Sequence, residues 1–445
     1  MESTTRRRGI MAYDGFPGAS PGVGAADPGT GVGRLFYCDT TLFRNLGHFA
    51  NSCRHLTGEA RRRGLDTRIF GNIHMEPALA NELAAVPLFG HNSWYSTVPD
   101  PLSGWLESFF LIGEAVARDL GVLKGSSRPE PQDTVYWNSA RSGELLGVIT
   151  WLQSTFTPET CPRIVVEFGT GPGATRSRDA TDRERLSLTG TEPYLYRYAI
   201  RRLRPEFRDR LVLGTYDAAS SADYQAVLGV PTVVLPLPQP VARQHRVRAA
   251  GRAPTVAFLG HQRPDKGYAL VPALVRHLLA RHPGSEILVH NGAGGEMPAE
   301  TAELTAMAEA EARFHLALFP ANGQDWQQLL DLADLIVLPY RPEFFANAYS
   351  AILSEALAQG IPVVVPEATT LATQLTSFGG GGTRFGAWTP DAIAAAIDRA
   401  MAQIDLLEER ARAGAALWRR THGPAAALDA ILGLAPEVGA LACAS

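Results

Sequence analysis

The sequence predicts an α/β protein with two parallel β-sheets, one in each half of the chain. Three observations support this prediction. Short apolar segments of strand length alternate with longer segments of helix length, which is the pattern of βαβ units. The polar stretch 239–254 has no apolar period, and the alternation restarts after it at 255. The length of 445 residues exceeds one ordinary hydrophobic core and fits two or three domains.

In the N-terminal half, β-branched and aromatic residues mark the strands. The predicted strands are 34–41, 66–72, 134–139, 163–169, 210–216 and 232–238. The predicted helices are 50–63, 143–153 and 194–203, and Gly64 is placed to cap the first of them. The stretch between the first strand and the first helix is predicted to be a loop.

In the C-terminal half, the predicted strands are continuous apolar runs, as expected for strands that are buried on both faces. They are 255–260, 286–292, 313–320, 334–340 and 362–366. A helix is predicted at 270–281, a single long helix at 391–413, and another at 415–434 with an interruption near Gly423. The glycines 379–382 are predicted to form a flexible turn.

These segments predict two Rossmann-like domains that face each other across a cleft. The expected boundaries are a disordered segment 1–32, an N-terminal domain 33–240, a linker 241–253, a C-terminal domain 254–415, and a C-terminal helix and tail 416–445. We expect the C-terminal helices to pack back toward the N-terminal domain. The cleft should hold the active site, because ligands bind at the carboxyl ends of parallel strands.

Composition excludes several classes of protein. The net charge is −4, which argues against a nucleic-acid-binding protein. The four cysteines are scattered and predict neither a zinc site nor a disulfide framework. No apolar run is long enough to span a bilayer and no secretory signal is visible, so the expected location is the cytoplasm, with peripheral attachment to the inner membrane surface left open. Two of the 41 basic residues are lysines, Lys124 and Lys266, which leaves 39 arginines.

The first candidate site is the stretch GHQRPDKG at 260–267, which follows a strand and precedes a helix. Gly260 allows the backbone to approach an anion, and the following helix presents its positive N-terminal end. Lys266, Arg263 and His261 add charge or donors, which could stabilise a diphosphate as it leaves. An ordinary solvated turn is the alternative, because Asp-Lys-Gly is common turn chemistry.

The second candidate site is the segment 339–366, which predicts a strand, a loop, a helix, a glycine stop and another strand. Asn347 or Ser350 could cap the helix, and the first-turn amides near Ser350 and Ala351 would form an anion site. Glu355, one and a half turns further, could accept hydrogen bonds from ribose hydroxyls. The alternative for Glu355 is a surface glutamate of an amphipathic helix.

The segment EALAQGIPVV at 355–364 resembles the signature of retaining glycosyltransferases of family 4, which have the GT-B fold. The strand, glycine and Lys-Gly element at 255–267 also resembles that family. The resemblance covers about 253–415 well and 34–240 by layout only. It implies a nucleotide-sugar donor held by the C-terminal domain, an acceptor held by the N-terminal domain, and no metal or other cofactor.

Two positions depart from the family pattern. The first Glu of the signature falls on Asn347, which keeps hydrogen bonding to the donor sugar but loses the charge. The family's arginine after the strand glycine falls on His261, with Arg263 two residues further. The resemblance assigns catalytic roles to Lys266, Arg263, His261 and Asn347.

Other candidates follow strands. The resemblance places Gly47 beside the donor and acceptor, while a histidine such as His48 in this loop would serve as general base in inverting GT-B enzymes. His290 ends a strand where the family contacts the donor. On the acceptor side, Asn138 and Arg141 are weaker candidates.

The predicted function is transfer of a sugar from a nucleotide-sugar donor to a hydroxyl of a glycan, a lipid-linked acceptor or a small molecule, with retention of configuration. Three alternatives stay open at this point. They are an inverting enzyme, a nucleotide-sugar epimerase or phosphorylase on the same fold, and a non-catalytic relative that binds nucleotide sugars.

Overall fold

The computed structural model describes residues 33–45, 47–92, 104–178, 184–239, 248–249, 251–261, 263–292, 297–321, 323–346 and 348–434. The predicted disordered segment 1–32, most of the predicted linker 241–253 and the tail beyond 434 lie outside these residues. All of the described residues belong to one compact unit, 33–445.

The first sheet is parallel, with the strand order β3-β2-β1-β4-β5-β8-β9. Its strands are β1 Leu35–Cys38, β2 Thr67–Asn72, β3 Ala85–Phe89, β4 Thr134–Trp137, β5 Arg163–Phe168, β8 Leu211–Thr215 and β9 Val233–Val234. A separate antiparallel hairpin, β6 Ala174–Arg178 and β7 Glu184–Leu188, is inserted after β5. Strands β2 and β3 follow β1 on one side of it, and the later strands, starting with β4, extend the sheet on the other side of β1.

The second sheet is also parallel, with the order β12-β11-β10-β13-β14-β15. Its strands are β10 Thr255–Phe258, β11 Glu286–His290, β12 Phe314–Ala317, β13 Leu335–Val337, β14 Val363–Pro366 and β15 Gly382–Phe385. The direction of winding reverses between β10 and β13, so a crevice opens beyond the carboxyl ends of these two neighbouring strands.

Helices cover both sheets. They are α1 Gly47–Arg62, α2 Pro77–Leu83, α3 Gly104–Leu120, α4 Ser142–Thr155, α5 Glu192–Arg201, α6 Ala218–Leu228, α7 Val271–Arg281, α8 Pro298–Ala310, α9 Gly323–Leu332, α10 Pro342–Phe345, α11 Ala351–Gln359, α12 Thr370–Ser377, α13 Pro390–Ala402, α14 Ile404–Thr421 and α15 Pro424–Leu432. Strands β1, β10, β13 and β14 are buried along their whole length, which explains their continuous apolar runs.

Local chemistry sets several helix ends. Asp217 caps α6 by accepting a hydrogen bond from the Ser220 amide, and Thr369 caps α12 in the same way through Ala372. Gly229 and Gly360 end α6 and α11 with φ angles of 70° and 76°, a region that side chains with a Cβ atom rarely adopt.

The predicted α/β class with two Rossmann-like sheets is confirmed, but three local predictions are wrong. The predicted helix 391–413 is two helices, because the chain leaves helical geometry at Gln403. The glycine stretch does not end in a turn at Gly382, which is the first residue of β15. Gly47 and His48 lie in the first turn of α1 and not in a loop.

The C-terminal helices pack back onto the N-terminal half, as predicted. Ala427, Leu428 and Ile431 of α15 are buried in the same apolar cluster as β1 residues. Arg163 of β5 donates from Nε to the carbonyl oxygen of Ile431, 2.9 Å away. Among the described residues, no helix is long and apolar enough to cross a membrane.

Candidate active site

Two loops meet at the carboxyl ends of β10 and β13. The backbone amide of Arg341 donates to the carbonyl oxygen of Asp265 at 2.9 Å. At Gly267, where φ is 75°, a Cβ atom would lie 2.0 Å from the carbonyl oxygen of Pro339, so only glycine allows this approach. The same carbonyl accepts the indole N–H of Trp388 at 2.9 Å. The loop after β10 is therefore held against the loop after β13, at the point where the winding of the sheet reverses.

Gly260 lets the chain turn sharply out of β10. Its φ is 103°, and a Cβ atom there would lie 2.3 Å from Cδ1 of Ile352 on α11. The backbone conformation thus favours glycine here, and the side chain of Ile352 on α11 packs closely against it. This arrangement brings the start of α11 close to the end of β10.

Lys266 ends the short 3-10 helix Pro264–Lys266 and is half-buried. Its Nζ lies 5.5 Å from the centre of the Tyr340 ring, which is the geometry of a cation–π contact. Burial, followed by the charge of Arg263, lowers the pKa of Lys266 to about 8, while Asp265 and Glu355 act in the opposite direction. The surroundings of Lys266 therefore destabilise its positive charge on balance, and a bound anion would stabilise it.

Glu355 lies on α11 beside this lysine. Its Oε2 accepts a hydrogen bond from the indole N–H of Trp326 at 2.7 Å. Burial raises the pKa of Glu355 to about 7, although the Trp326 hydrogen bond and the charge of Lys266 lower it. A lysine with a lowered pKa beside a carboxylate with a raised pKa is characteristic of functional sites.

The N-terminus of α11 supplies the third part of the site. Ser350 is buried and caps this nine-residue helix, its Oγ accepting from the Leu353 amide at 3.3 Å. Ala351 is the first residue of the helix. The amides of the first turn and the helix dipole make this end attractive to phosphate. Asn347 lies outside the described residues, so its predicted contact with the sugar stays a prediction.

The remaining donor-side candidates occupy different positions. His261 and Arg263 are exposed residues of the loop after β10. Arg263 forms an ion pair with Asp265, with 2.8 Å between the charged groups. His290 is buried at the end of β11, where its Nε2 lies 2.8 Å from the carbonyl oxygen of Phe319. Its ring packs 5.8 Å from that of Trp326, between centres. His290 therefore packs against the side chain of Trp326.

A buried polar network lies at the carboxyl ends of β1 and β4 in the first sheet. Asp39 follows β1, and its two oxygens accept from the Asn138 amide group at 2.8 Å and from the Thr41 backbone amide at 2.7 Å. Burial raises the pKa of Asp39 to about 6 against these hydrogen bonds. Asn138, predicted on the acceptor side, is itself buried and bonded to Asp39, so it holds the loops in place.

Glu167, at the end of β5, continues this network. Its Oε2 accepts from the Tyr216 hydroxyl at 2.7 Å and from the Ser139 amide at 3.0 Å. Burial raises the pKa of Glu167 to about 7. Ser139 has a φ of 56°, and a Cβ atom at Gly169 would lie 2.7 Å from its Oγ. Backbone strain and close packing in these loops are characteristic of functional sites.

The other N-terminal candidates lie at the starts of helices. Gly47 and His48 are in the first turn of α1. Arg141 precedes α4, where its amide donates to Glu144 at 2.8 Å, and its side chain reaches 3.6 Å from Glu192. The Arg141 side chain is about one-third exposed, so part of it is accessible to an acceptor.

Aromatic contacts connect the two halves of the chain beneath this site. The rings of Tyr216, after β8, and Tyr349, before α11, lie 4.9 Å apart. Gln239 donates to the Tyr349 hydroxyl at 2.5 Å, and Trp418 of α14 donates to the Gln239 carbonyl at 3.2 Å. The contact at Tyr349 places the helix that carries Ser350 next to the first sheet.

Several of these residues were missed by reasoning from sequence. Trp326 lies on α9, between the strand segments that define the site, and no motif marks it. Asp39, Glu167 and Tyr216 could have been found, because each is a polar residue among the last three residues of a predicted strand. Their partners lie 28 to 99 residues away, so the network itself is visible only in the fold.

Solved structures of several proteins share this architecture. Anabaena HepE in complex with UDP is 13% identical, with a TM-score of 0.59, over 90% of this chain and 98% of that chain. Sucrose-phosphate synthase from Thermosynechococcus elongatus is 13% identical, with a TM-score of 0.59, over 90% and 96%. The trehalose-6-phosphate synthase OtsA is 11% identical, with a TM-score of 0.61, over 90% and 98%. The chain therefore has the GT-B fold, and the predicted architecture is confirmed.

At the level of sequence, a match to a protein-family model covers one segment of the chain. Residues 253–403, about a third of the chain, match the family model described as "Glycosyl transferases group 1". This segment contains the second sheet together with Lys266, Ser350 and Glu355. No curated protein compared with the chain matches its sequence.

Proposed function

We propose that this chain is a glycosyltransferase that moves a sugar from a nucleotide-sugar donor to a hydroxyl acceptor with retention of configuration, as in family 4. The observation that carries the proposal is the convergence of Lys266, the N-terminus of α11 and Glu355 at the reversal point of the second sheet. This is where the fold binds ligands, and it lies inside the segment that matches the group 1 family model.

Each part of the site has a role in holding the donor. The amides at Ser350 and Ala351 bind the phosphates, and Glu355, oriented by Trp326, accepts hydrogen bonds from the ribose hydroxyls. Asn347 binds the sugar. UDP is the first nucleotide to test, because Anabaena HepE was solved with UDP and with UDP-glucose.

Lys266 would assist the departure of the nucleoside diphosphate. As the bond from the anomeric carbon to the phosphate oxygen breaks, the electron pair goes to the phosphate, and a fixed cation stabilises the added charge. Arg263 or His261 adds a second donor. The acceptor oxygen attacks on the face from which the diphosphate departs, and its proton passes to the departing phosphate oxygen. This sequence of steps requires neither an enzymatic nucleophile nor a metal ion.

The acceptor would lie against the loops of the first sheet. Asp39, Glu167 and Asn138 hold these loops, and Arg141 beside them is a partly exposed cation. The proposal leaves the acceptor as a hydroxyl of a glycan, a lipid-linked sugar or a small molecule. An acceptor panel should therefore contain members of all three groups.

The proposal is tested with Lys266→Ala and the matched control Lys124→Ala, since the chain offers no other lysine and Lys124 is exposed. Thermal shift with a panel of nucleotide sugars identifies the donor, because a ligand selective for the folded state raises stability. Turnover is then followed by NMR, which also reports the anomeric configuration of the product. We expect a loss of about 100-fold or more in kcat for Lys266→Ala and wild-type kinetics for the control.

Three results would contradict the proposal. Unchanged turnover in Lys266→Ala would exclude the proposed role of the lysine. Donor binding without transfer to any acceptor would favour a non-catalytic relative, which the replacement of the signature Glu by Asn347 makes the second candidate. Conversion of the donor without an acceptor would favour an epimerase.

A further inference from the structure

A cluster of two histidines and one aspartate lies on the second sheet's helices. Nε2 of His277 and Nε2 of His282 lie 2.8 and 2.7 Å from the same oxygen, Oδ1 of Asp398. The three ligand atoms are all within 4.8 Å of one another. None of the three residues belongs to the signature segments, and the proposed transfer reaction does not use them.

We propose that His277, His282 and Asp398 form a binding site for one divalent transition-metal ion, with Zn²⁺ as the expected occupant. Two imidazole nitrogens and one carboxylate oxygen are a ligand set that zinc prefers, with bonds of about 2.0–2.2 Å. Such a set leaves a coordination position for water, since zinc is normally four-coordinate.

The backbone positions of the ligands are fixed by the core. Leu274 and Leu278 of α7 and Ile393 and Ile397 of α13 are fully buried in one apolar cluster. His277 lies on α7 and Asp398 on α13, so the packing of these helices sets the distance between the two ligands. Because the helices do not need the metal to pack, the site is preorganised and costs little conformational entropy to complete.

His282 reaches the cluster because α7 ends before it. Residues five apart on a continuous helix point in different directions. At His282 the chain leaves helical geometry, with φ −125° and ψ 67°. Its carbonyl oxygen accepts from the Ser285 amide at 3.0 Å and from the Arg313 guanidinium at 3.0 Å, which holds this turn. The spacing therefore carries no sequence signature, and the fold creates the site.

The two distances from the carboxylate oxygen to the imidazole nitrogens need only a small adjustment to admit the ion. Ligand atoms of a tetrahedral zinc ion lie about 3.3 Å apart, so the carboxylate must retreat by about half an ångström from each nitrogen. The side chain of Asp398 is 36% exposed and has room to do so.

The site is tested on the full-length, metal-free protein without an affinity tag, by calorimetric titration with Zn²⁺ and, in parallel, with Mg²⁺. We expect one Zn²⁺ per chain, no Mg²⁺ binding at this site, and a rise in Tm with Zn²⁺. His277→Ala and Asp398→Asn should each weaken zinc binding at least about tenfold. Asp398→Asn keeps the shape of the side chain and covers the case in which His277→Ala does not fold.

The matched control is His315→Ala. His315 is an exposed histidine of the same sheet that pairs with a single carboxylate, Glu286, at 2.8 Å, and so lacks the second imidazole. This variant should bind zinc like the wild type. The visible absorption spectrum of bound Co²⁺ gives a second measurement of the coordination geometry. Equal zinc affinity in the wild type and both ligand variants would overturn the proposal, as would the absence of zinc binding at millimolar concentration.

Discussion

Lys266 stands in a chain that otherwise uses arginine for positive charge. Arginine keeps its proton at any ordinary pH, whereas the amine of lysine can lose it when buried. Burial and Arg263 lower the pKa of Lys266 to about 8. Lowering the pKa of a cation works against folding at neutral pH, because the unfolded state binds the proton more readily, and this cost is relieved as the pH rises above 8. The charged form of Lys266 thus costs the folded state some stability at neutral pH.

The pKa of Lys266 predicts how UDP binding depends on pH. Below pH 8 the lysine is charged and, in the proposed site, would attract the diphosphate, whereas above pH 8 it becomes neutral. We therefore expect the affinity for UDP to fall by up to about tenfold between pH 7 and pH 9, measured by calorimetry at constant ionic strength. The phosphates contribute little to this change, because with a second pKa of about 6 they are already about nine-tenths ionised at pH 7.

The matched variant is Lys266→Arg. A guanidinium keeps its charge throughout this range, so any remaining change in affinity reports other groups, namely Glu355, whose pKa is about 7, and the nucleotide itself. The decrease caused by the lysine should be absent in this variant. Identical pH profiles for the two proteins would mean that Lys266 does not contact the diphosphate.

At the scale of elements, the helix α11 shows how much of a site can be predicted. The sequence predicted its cap at Asn347 or Ser350, its end at Gly360 and the strand that follows, because capping and glycine stops are local, and the structure has the cap at Ser350. The contact between Glu355 and Trp326 was not predictable, since the two residues lie 29 positions apart on different helices. The break at Gln403 between α13 and α14 was missed because no glycine or proline marks it.

The end of α11 supports a test of backbone conformation. Gly360 has a φ of 76°, and a Cβ atom there would lie 3.2 Å from the carbonyl oxygen of Ala411 on α14. Gly360→Ala should therefore lower the free energy of unfolding by more than the ~1 kcal/mol expected for strain alone. Urea unfolding monitored by circular dichroism measures the difference.

The control for that measurement is Gly229→Ala. Gly229 ends α6 with a φ of 70°, but a Cβ atom there meets nothing within 4 Å. This variant should show only the ~1 kcal/mol cost of the backbone conformation. If both variants lose the same stability, the packing of α14 against the end of α11 does not contribute.

At the scale of the whole molecule, the chain crosses back to its first sheet after completing the second. Leu428 of α15 is fully buried in the cluster that contains Leu35 and Tyr37 of β1. The pair Arg63 and Asp429 adds an ion pair at 2.5 Å to this contact. The C-terminal helix is thus part of the N-terminal core, and its packing restrains how the two sheets can move relative to each other.

Truncation of Leu428 tests this contact. Leu428→Ala should destabilise the protein by about 2–5 kcal/mol, the usual cost of a cavity in a packed core, as measured by urea unfolding. Leu434→Ala is the control, because Leu434 is 66% exposed and its truncation should change stability by no more than about 0.5 kcal/mol. A loss below 1 kcal/mol for Leu428→Ala would show that α15 is not an integral part of the core.

The sequence by itself determined the α/β class, the two parallel sheets, and the segments around Lys266 and Ser350. These follow from hydrophobic runs, caps and glycine stops, which depend on neighbours in the chain. Only the tertiary structure decided that Trp326 orients Glu355, that Asp39 and Glu167 are buried beneath the loops of the first sheet, and that His277, His282 and Asp398 meet. The physical reason is distance along the chain, because hydrogen bonds, burial and metal ligation between remote residues arise only when packing brings them together.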